Sequence, residues 1–214
     1  MKRIVPLIGI AAALVAGGAS AQSFPAKPVR IIVPYAPASS PDVLARAIND
    51  GLAKRLGQPV LVENRPGAGG NTGTDYVAKA APDGYTLLVS TNGPLVYNTV
   101  MYKKLPYDPF HDLAPITLAG GQPNVCAVSP QVGASNVREW VEAMRRNPGK
   151  FNFSSTGVGS MSHLSVEIIK MRTNTFAVHI PYASSPLAVT AILQGDVQMA
   201  CVPAVAVMPQ VRAG

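Results

Sequence analysis

Charge is scarce in this sequence. Asp, Glu, Lys and Arg make up 14% of the 214 residues, against 48% that are hydrophobic. A disordered chain has the reverse balance, so this one needs a folded core, in one large domain or two small ones at about 100–200 residues each. Basic clusters are missing too. The formal net charge is +7, but the Lys and Arg residues are scattered. The pair Arg145-Arg146 ends a predicted helix, where cations suit the dipole. This excludes a nucleic-acid footprint and leaves a mild bias toward anionic partners. Past the N-terminus no segment reaches ~18 consecutive apolar residues, which excludes a later helical membrane span. The 19 Gly and 20 Pro follow no collagen-like period and mark turns instead.

Cysteine is nearly absent, with Cys126 and Cys201 alone. No His stands beside either in sequence, so they make no metal site. Export would permit a bridge, closing a loop of about 75 residues and worth roughly 4 kcal/mol. Both lie in apolar strand-like runs, NVCAV and QMACV. There a lone Cys serves as a small buried hydrophobe, the reading we prefer to the bridge.

What is present begins with an export signal. Lys2 and Arg3 form a positive start, Ile4 to Gly18 is an uncharged apolar run, and Ala19-Ser20-Ala21 has the A-x-A form of a cleavage site. The run is shorter than the ~20 residues a span needs, so a membrane anchor is disfavoured. Residues 1–21 are therefore read as a signal peptide cleaved after Ala21. Without Lys2 and Arg3 the mature chain keeps 16 basic against 11 acidic residues, or +5. No Cys follows the apolar run, which argues against a lipoprotein.

Strand-like runs then alternate with helical ones. Val29–Pro34 reads as a buried strand. Ser40-Pro41-Asp42 opens a helix, with Ser40 as N-cap, and Leu44, Ile48, Leu52 and Leu56 form its buried stripe. Strands are predicted at Val60–Glu63 and Tyr85–Ser90, with a glycine-rich loop and a helix between them. Ile116–Leu118 and Val125–Val128 are strand-like. The pattern restarts with a helix capped at Asn136 or Ser135 and carrying Val137, Trp140, Val141 and Met144 on one face. Strands at Phe151–Ser154, Ala177–Pro181 and Val197–Val202 follow. The helices among them include one with Leu164, Ile168 and Met171 on one face, one over Pro186–Leu193 and a short one over Pro209–Ala213. This alternation predicts α/β units with parallel sheets, in domains of residues 22–124 and 125–214. The chain ends at Gly214 without a closing strand and reads as unfinished.

Several stretches together resemble one family, the exported solute-binding receptors of tripartite tricarboxylate transporters, known as Bug or TctC-like proteins. They are FPAKPVR (Phe24–Arg30), PYAPASSPD (Pro34–Asp42), LGQPVLVENRPGAGGNTG (Leu56–Gly73), AKAAPDGYTLL (Ala78–Leu88), YKKLPYDPF (Tyr102–Phe110), NPGKFNFSSTGVGSMSHL (Asn147–Leu164) and HIPYASS (His179–Ser185). The resemblance implies a two-domain, type II periplasmic-binding-protein flytrap that captures a small carboxylate or amino-acid-like ligand in the periplasm, as a monomer. It serves transporter membrane subunits in some members and is an orphan receptor in others. Members continue beyond position 214 and cross back to the first domain. On that basis the C-terminal part is expected to be missing, the chain to be unstable alone, and a non-functional remnant is an alternative. This chain departs from the family at Ala38-Ser39, where Gly-Gly is usual, and at Ala183-Ser184, where Lys-Gly is usual.

Candidate ligand-binding residues follow from loops after strands. Tyr35, Ala38, Ser39, Ser40 and Asp42 surround the first helix start, where free N–H groups and the dipole favour an anion. If the usual glycines adopt positive φ, Ala38 or Ser39 is strained there by about 1 kcal/mol. Asp42 is expected to cap backbone groups or to meet a ligand ammonium. Thr156, Gly157, Gly159, Ser160, Ser162 and His163 form the second equivalent. Thr91, Asn92, Tyr182 and Ala183 follow other strands. Ser40, Asp42, His163 and the tyrosines have purely structural readings alongside. Gly67–Gly73 lacks the Lys of a phosphate-binding loop and is set aside. No metal, cofactor or catalytic residue is expected. A secreted hydrolase using Ser160 or Ser162, His163 or His179, and Asp42 is the remote alternative, unsupported by any G-x-S-x-G or S-x-x-K motif.

Overall fold

A computed structural model of the protein describes residues 23–213, so the expected signal peptide lies outside the described residues. The first sheet has the order β2-β1-β3, with β1 at Val29–Val33, β2 at Val60–Asn64 and β3 at Thr86–Leu88. All three strands are parallel. Because β1 is central, Val29, Ile31, Ile32 and Val33 are buried on both faces, which accounts for its unbroken apolar run. Helix α1 (Ser40–Leu56) joins β1 to β2, and α2 (Asn71–Ala78) joins β2 to β3. A π-helical turn, Gly93–Tyr97, then runs into the short α3 (Asn98–Met101).

The second sheet has the order β4-β7-β5-β6, formed by β4 (Asn124–Val128), β5 (Asn152–Ser155), β6 (Val178–Pro181) and β7 (Met199–Pro203). Its helices are α4 (Val137–Arg146), α5 (Met161–Thr173), α6 (Ser185–Gln194) and α7 (Ala204–Ala213). Side chains alternate along β7. Met199 and Cys201 join Trp140, Met144, Phe153 and Val166 on one face, while Ala200 and Val202 join Val189, Ile192 and Val207 on the other. The result is a layer of helices on each side of the sheet.

The structure corrects several expectations. The second sheet is not wholly parallel, because β4 enters from the first sheet and pairs antiparallel with β7 at the edge. That register sets Cys126 opposite Cys201, and the two form a disulfide with Cα atoms 3.9 Å apart. They are therefore not free buried thiols. Pairing across strands, invisible in either run alone, brings them together.

The stripe on α1 also differs. A four-residue repeat drifts about 40° per step against the 3.6-residue turn. Ile48 is consequently exposed, whereas Leu52 and Leu56 face the sheet as expected and Ala45 and Ala53 complete that face. On α5 the buried face is Ser162, Val166 and Ile169, with Ile168 and Met171 turned outward. Val137 of α4 is exposed as well, and Ile116–Leu118 is not a strand but an exposed connection. The N-cap of α1 is Ser39, one residue before the expected Ser40. Helix α7 begins at Ala204 and carries Pro209 inside it.

Candidate functional site

Parallel strands deliver their carboxyl ends to one edge of a sheet, where loops meet helix starts. Here both sheets do so toward a common cleft of about 520 Å³. Pro34 and Tyr35 follow β1, and Pro66, Gly67, Ala68, Gly69 and Gly70 follow β2. Thr156, Gly157 and Val158 follow β5, and Pro181, Tyr182 and Ala183 end or follow β6; Tyr102 completes the wall.

The two loop systems touch through backbone. A Cβ placed on Gly157 would lie 3.1 Å from the Gly69 Cα, and one on Gly69 would lie 2.8 Å from the Val158 carbonyl oxygen. Both glycines have positive φ, so residues with side chains are excluded twice over.

Of the residues anticipated from sequence, Tyr35, Thr156, Gly157, Tyr182 and Ala183 line this cleft. Tyr35 is buried, and its hydroxyl shares a 2.7 Å hydrogen bond with the Thr91 hydroxyl and donates to the Gly69 carbonyl at 3.4 Å. Burial pushes its phenol up to about 12. Thr91 thus reaches the cleft only through Tyr35. Asn92 is exposed, and its amide donates to the Tyr97 hydroxyl.

Ala38, Ser39, Ser40 and Asp42 are not among the lining residues. Asp42 is buried and fully engaged. Its carboxylate accepts from the Ala38 N–H at 2.9 Å, from the Arg46 Nε, and from the Asn64 amide at 2.9 Å. Burial opposes its ionisation, but those hydrogen bonds outweigh burial and hold the carboxyl below the usual range. Of the two roles expected for Asp42, the structure provides the backbone-capping one and leaves no oxygen pointed at a ligand ammonium. The Asn64 amide also donates to the Tyr35 carbonyl, so this buried cluster positions the cleft wall from behind. Ala38 adopts φ 62°, the strained conformation that a glycine would relieve. The Ser39 and Ser40 hydroxyls are buried without a protein partner.

Gly159, Ser160, Ser162 and His163 also lie outside the lining, because they hold the second loop in shape. The Ser160 hydroxyl bonds the Gly157 carbonyl at 2.7 Å and caps α5 by accepting from the His163 N–H. The Ser162 hydroxyl bonds the Ser160 hydroxyl and accepts from the Thr156 N–H. His163 packs against His179, with ring centroids 4.2 Å apart and the rings tilted by 37°. Burial lowers the pKa of both, and the neighbouring His163 helps bring His179 down to about 4. His179 shares a 2.5 Å hydrogen bond with the Ser155 hydroxyl, which is itself inaccessible.

No Ser-His-Asp arrangement is assembled from the residues of the hydrolase reading, since Asp42 is bound to Arg46 and Asn64. Among the described residues no group of three His, Cys, Asp or Glu could hold a metal. Sequence reasoning missed Pro34, Pro66 to Gly70, Tyr102, Val158 and Pro181. The glycine run Gly67–Gly73 carries no Lys of a phosphate-binding loop, yet Gly67 to Gly70 line the cleft. Its place directly after a strand beside β1 was the usable signal.

The comparisons agree with this architecture. Residues 44–214 match the model of the tripartite tricarboxylate transporter family receptor. The chain is 38% identical to Protein BugT of Bordetella pertussis over 217 residues, covering all of this chain and 67% of that one. Among solved structures it is similar to R. palustris Rpa4515 with adipate, at TM-score 0.85 and 30% identity, covering 89% of this chain and 64% of that one. MatC from Rhodopseudomonas palustris with bound malate gives TM-score 0.83 and 30% identity, covering 89% and 65%. The chain spans 63–67% of the length of its first curated relatives. No helix among the described residues is long and apolar enough to cross a membrane. A cleft built by two α/β sheets, a family match over most of the chain and ligand-bound structural relatives converge: the chain belongs to the tripartite tricarboxylate transporter receptor family, the Bug or TctC-like periplasmic binding proteins.

Proposed function

We propose that the protein is a periplasmic solute-binding receptor that captures a small carboxylate between its two α/β units, residues 22–124 and 125–214, after cleavage of a signal peptide behind Ala21. The observation that carries this reading is the cleft. Its walls are loops at the carboxyl ends of strands from both sheets, meeting backbone to backbone at Gly69 and Gly157. Such a place binds and encloses a small molecule. The helix starts following β1 and β5 add positive dipole ends. The relatives with adipate and malate support carboxylate as the class. Delivery to transporter membrane subunits, or action as an orphan receptor, follows from the family, and a monomer is the expected form.

Calorimetric titration with small carboxylates and their uncharged amides tests the reading. At least one carboxylate should bind saturably while its amide does not. Failure of every carboxylate, or tight binding of an uncharged sugar, overturns it.

A further inference from the structure

We infer that His163 is a proton switch for the contact between the two units: as a neutral ring it holds the loop of residues 156–159 against the first unit, and on protonation it lets that loop go. This goes beyond the receptor reading and does not depend on which molecule the cleft takes.

The loop is held from two sides. In front of it lies the first unit. There the Gly157 backbone meets Gly69, and a Cβ on Gly159 would collide with the carboxamide of the wholly buried Asn98. Behind it lie the two histidines. The Gly159 N–H donates to His163 Nδ1 at 3.4 Å. The Gly157 N–H donates to the Ser155 hydroxyl at 3.0 Å, and that hydroxyl is bonded to His179 Nε2.

A backbone N–H can only donate, so His163 Nδ1 carries a lone pair and the proton of the neutral ring sits on Nε2. Nε2 faces the Glu167 carboxylate at 3.8 Å. A second proton has one place to go, Nδ1. There it sets donor against donor and removes the acceptor of the Gly159 N–H.

The imidazolium also has little to steady it in place. His179 of β6 stands 4.2 Å away, centroid to centroid. Glu167 is already shared with Lys170, one turn further along α5, at 2.7 Å. The other elements around the ring and its loop add no charge: β5 reads NFSS, and α3 reads NTVM. Burial, with Lys170, keeps the His163 pKa below its ordinary value, and Glu167 opposes them. The seated loop therefore favours the neutral ring, and the released loop, with the ring in water, favours the charged one. As pH falls below about 6.5 the balance moves toward release.

NMR on the protein tests this. At about pH 7.5 a cross-cleft NOE between the Gly69 and Gly157 α-protons should be present. It should be lost on acidification with the same midpoint as the His163 ring signals, while the β7 amides keep their exchange protection. In His163→Gln, whose amide can accept from Gly159 but takes up no proton, the NOE should persist through that range. The inference is overturned by an NOE absent at neutral pH, by one that outlasts the titration of His163, or by one lost together with β7 protection. These three outcomes are read on the native sequence, whether or not the variant folds. The same acid loss in His163→Gln overturns it as well. None of them bears on the receptor reading, which the carboxylate titrations decide.

Discussion

Ala38, Asp42 and His179 show how single side chains set the loops behind the cleft. Ala38 holds φ 62°, a conformation that costs an L-residue about 1 kcal/mol or more relative to glycine. Ala38→Gly should therefore raise the urea unfolding free energy by roughly 1 kcal/mol. Asp42 is the shared acceptor of the Ala38 N–H, Arg46 and Asn64. Asp42→Ala leaves buried donors unsatisfied and should cost about 1–3 kcal/mol in the same measurement. His179 faces His163, Glu167 and Lys170, and its pKa is depressed to about 4 from an ordinary ~6.5. With the folded value below the unfolded one, the neutral ring's contribution is complete above about pH 6.5 and is lost as pH falls toward 4. The melting temperature should decline across that window, and His179→Gln should flatten the decline.

At the level of elements, the edge of the second sheet depends on a cross-strand bond. The Cys126–Cys201 bridge joins β4 to β7 over a sequence separation of 75 residues. In the chain-entropy account, reduction should lower the unfolding free energy by about 4 kcal/mol. The chain's single Trp, Trp140, is buried at 2% exposure on α4, so its fluorescence reports this transition directly. Helix α5 shows a different balance. Its phase is set by Ser160 as cap and by Ser162, whose hydroxyl reaches back to Thr156. Those polar anchors rotate Val166 and Ile169 inward and leave Ile168 and Met171 outside. The loop geometry outweighs the apolar stripe because unsatisfied buried groups cost more than one exposed hydrophobe.

Across the whole molecule, the two sheets meet where the Gly69 and Gly157 loops touch. Gly157→Ala places a Cβ 3.1 Å from the Gly69 Cα at a φ of 120°. It should part the two walls and weaken carboxylate binding about tenfold or more by calorimetry. Met144→Ala, in the core of the second sheet and remote from the cleft lining, should cost about 2–5 kcal/mol of stability while leaving the affinity of the folded fraction unchanged.

Elements with a local cause were legible in the residues alone. The central strand announced itself as a continuous apolar run, α4 by its Asn136–Glu139 cap, and α1 and α6 by their terminal glycines. The family was legible as well, through motifs strung in order along the chain. Tyr35, Thr156, Gly157, Tyr182 and Ala183 were within reach because each follows a strand end, and parallel strands deliver their ends to one edge. Partnership was not legible. That Cys126 meets Cys201, that Gly69 meets Gly157, and that Asp42 is consumed by Arg46 and Asn64 are relations between residues 4 to 88 positions apart. Periodicity and propensity act over a few residues, whereas strand order, register and loop contact are settled by packing two sheets at once. Only the tertiary structure could therefore decide which loops share the cleft.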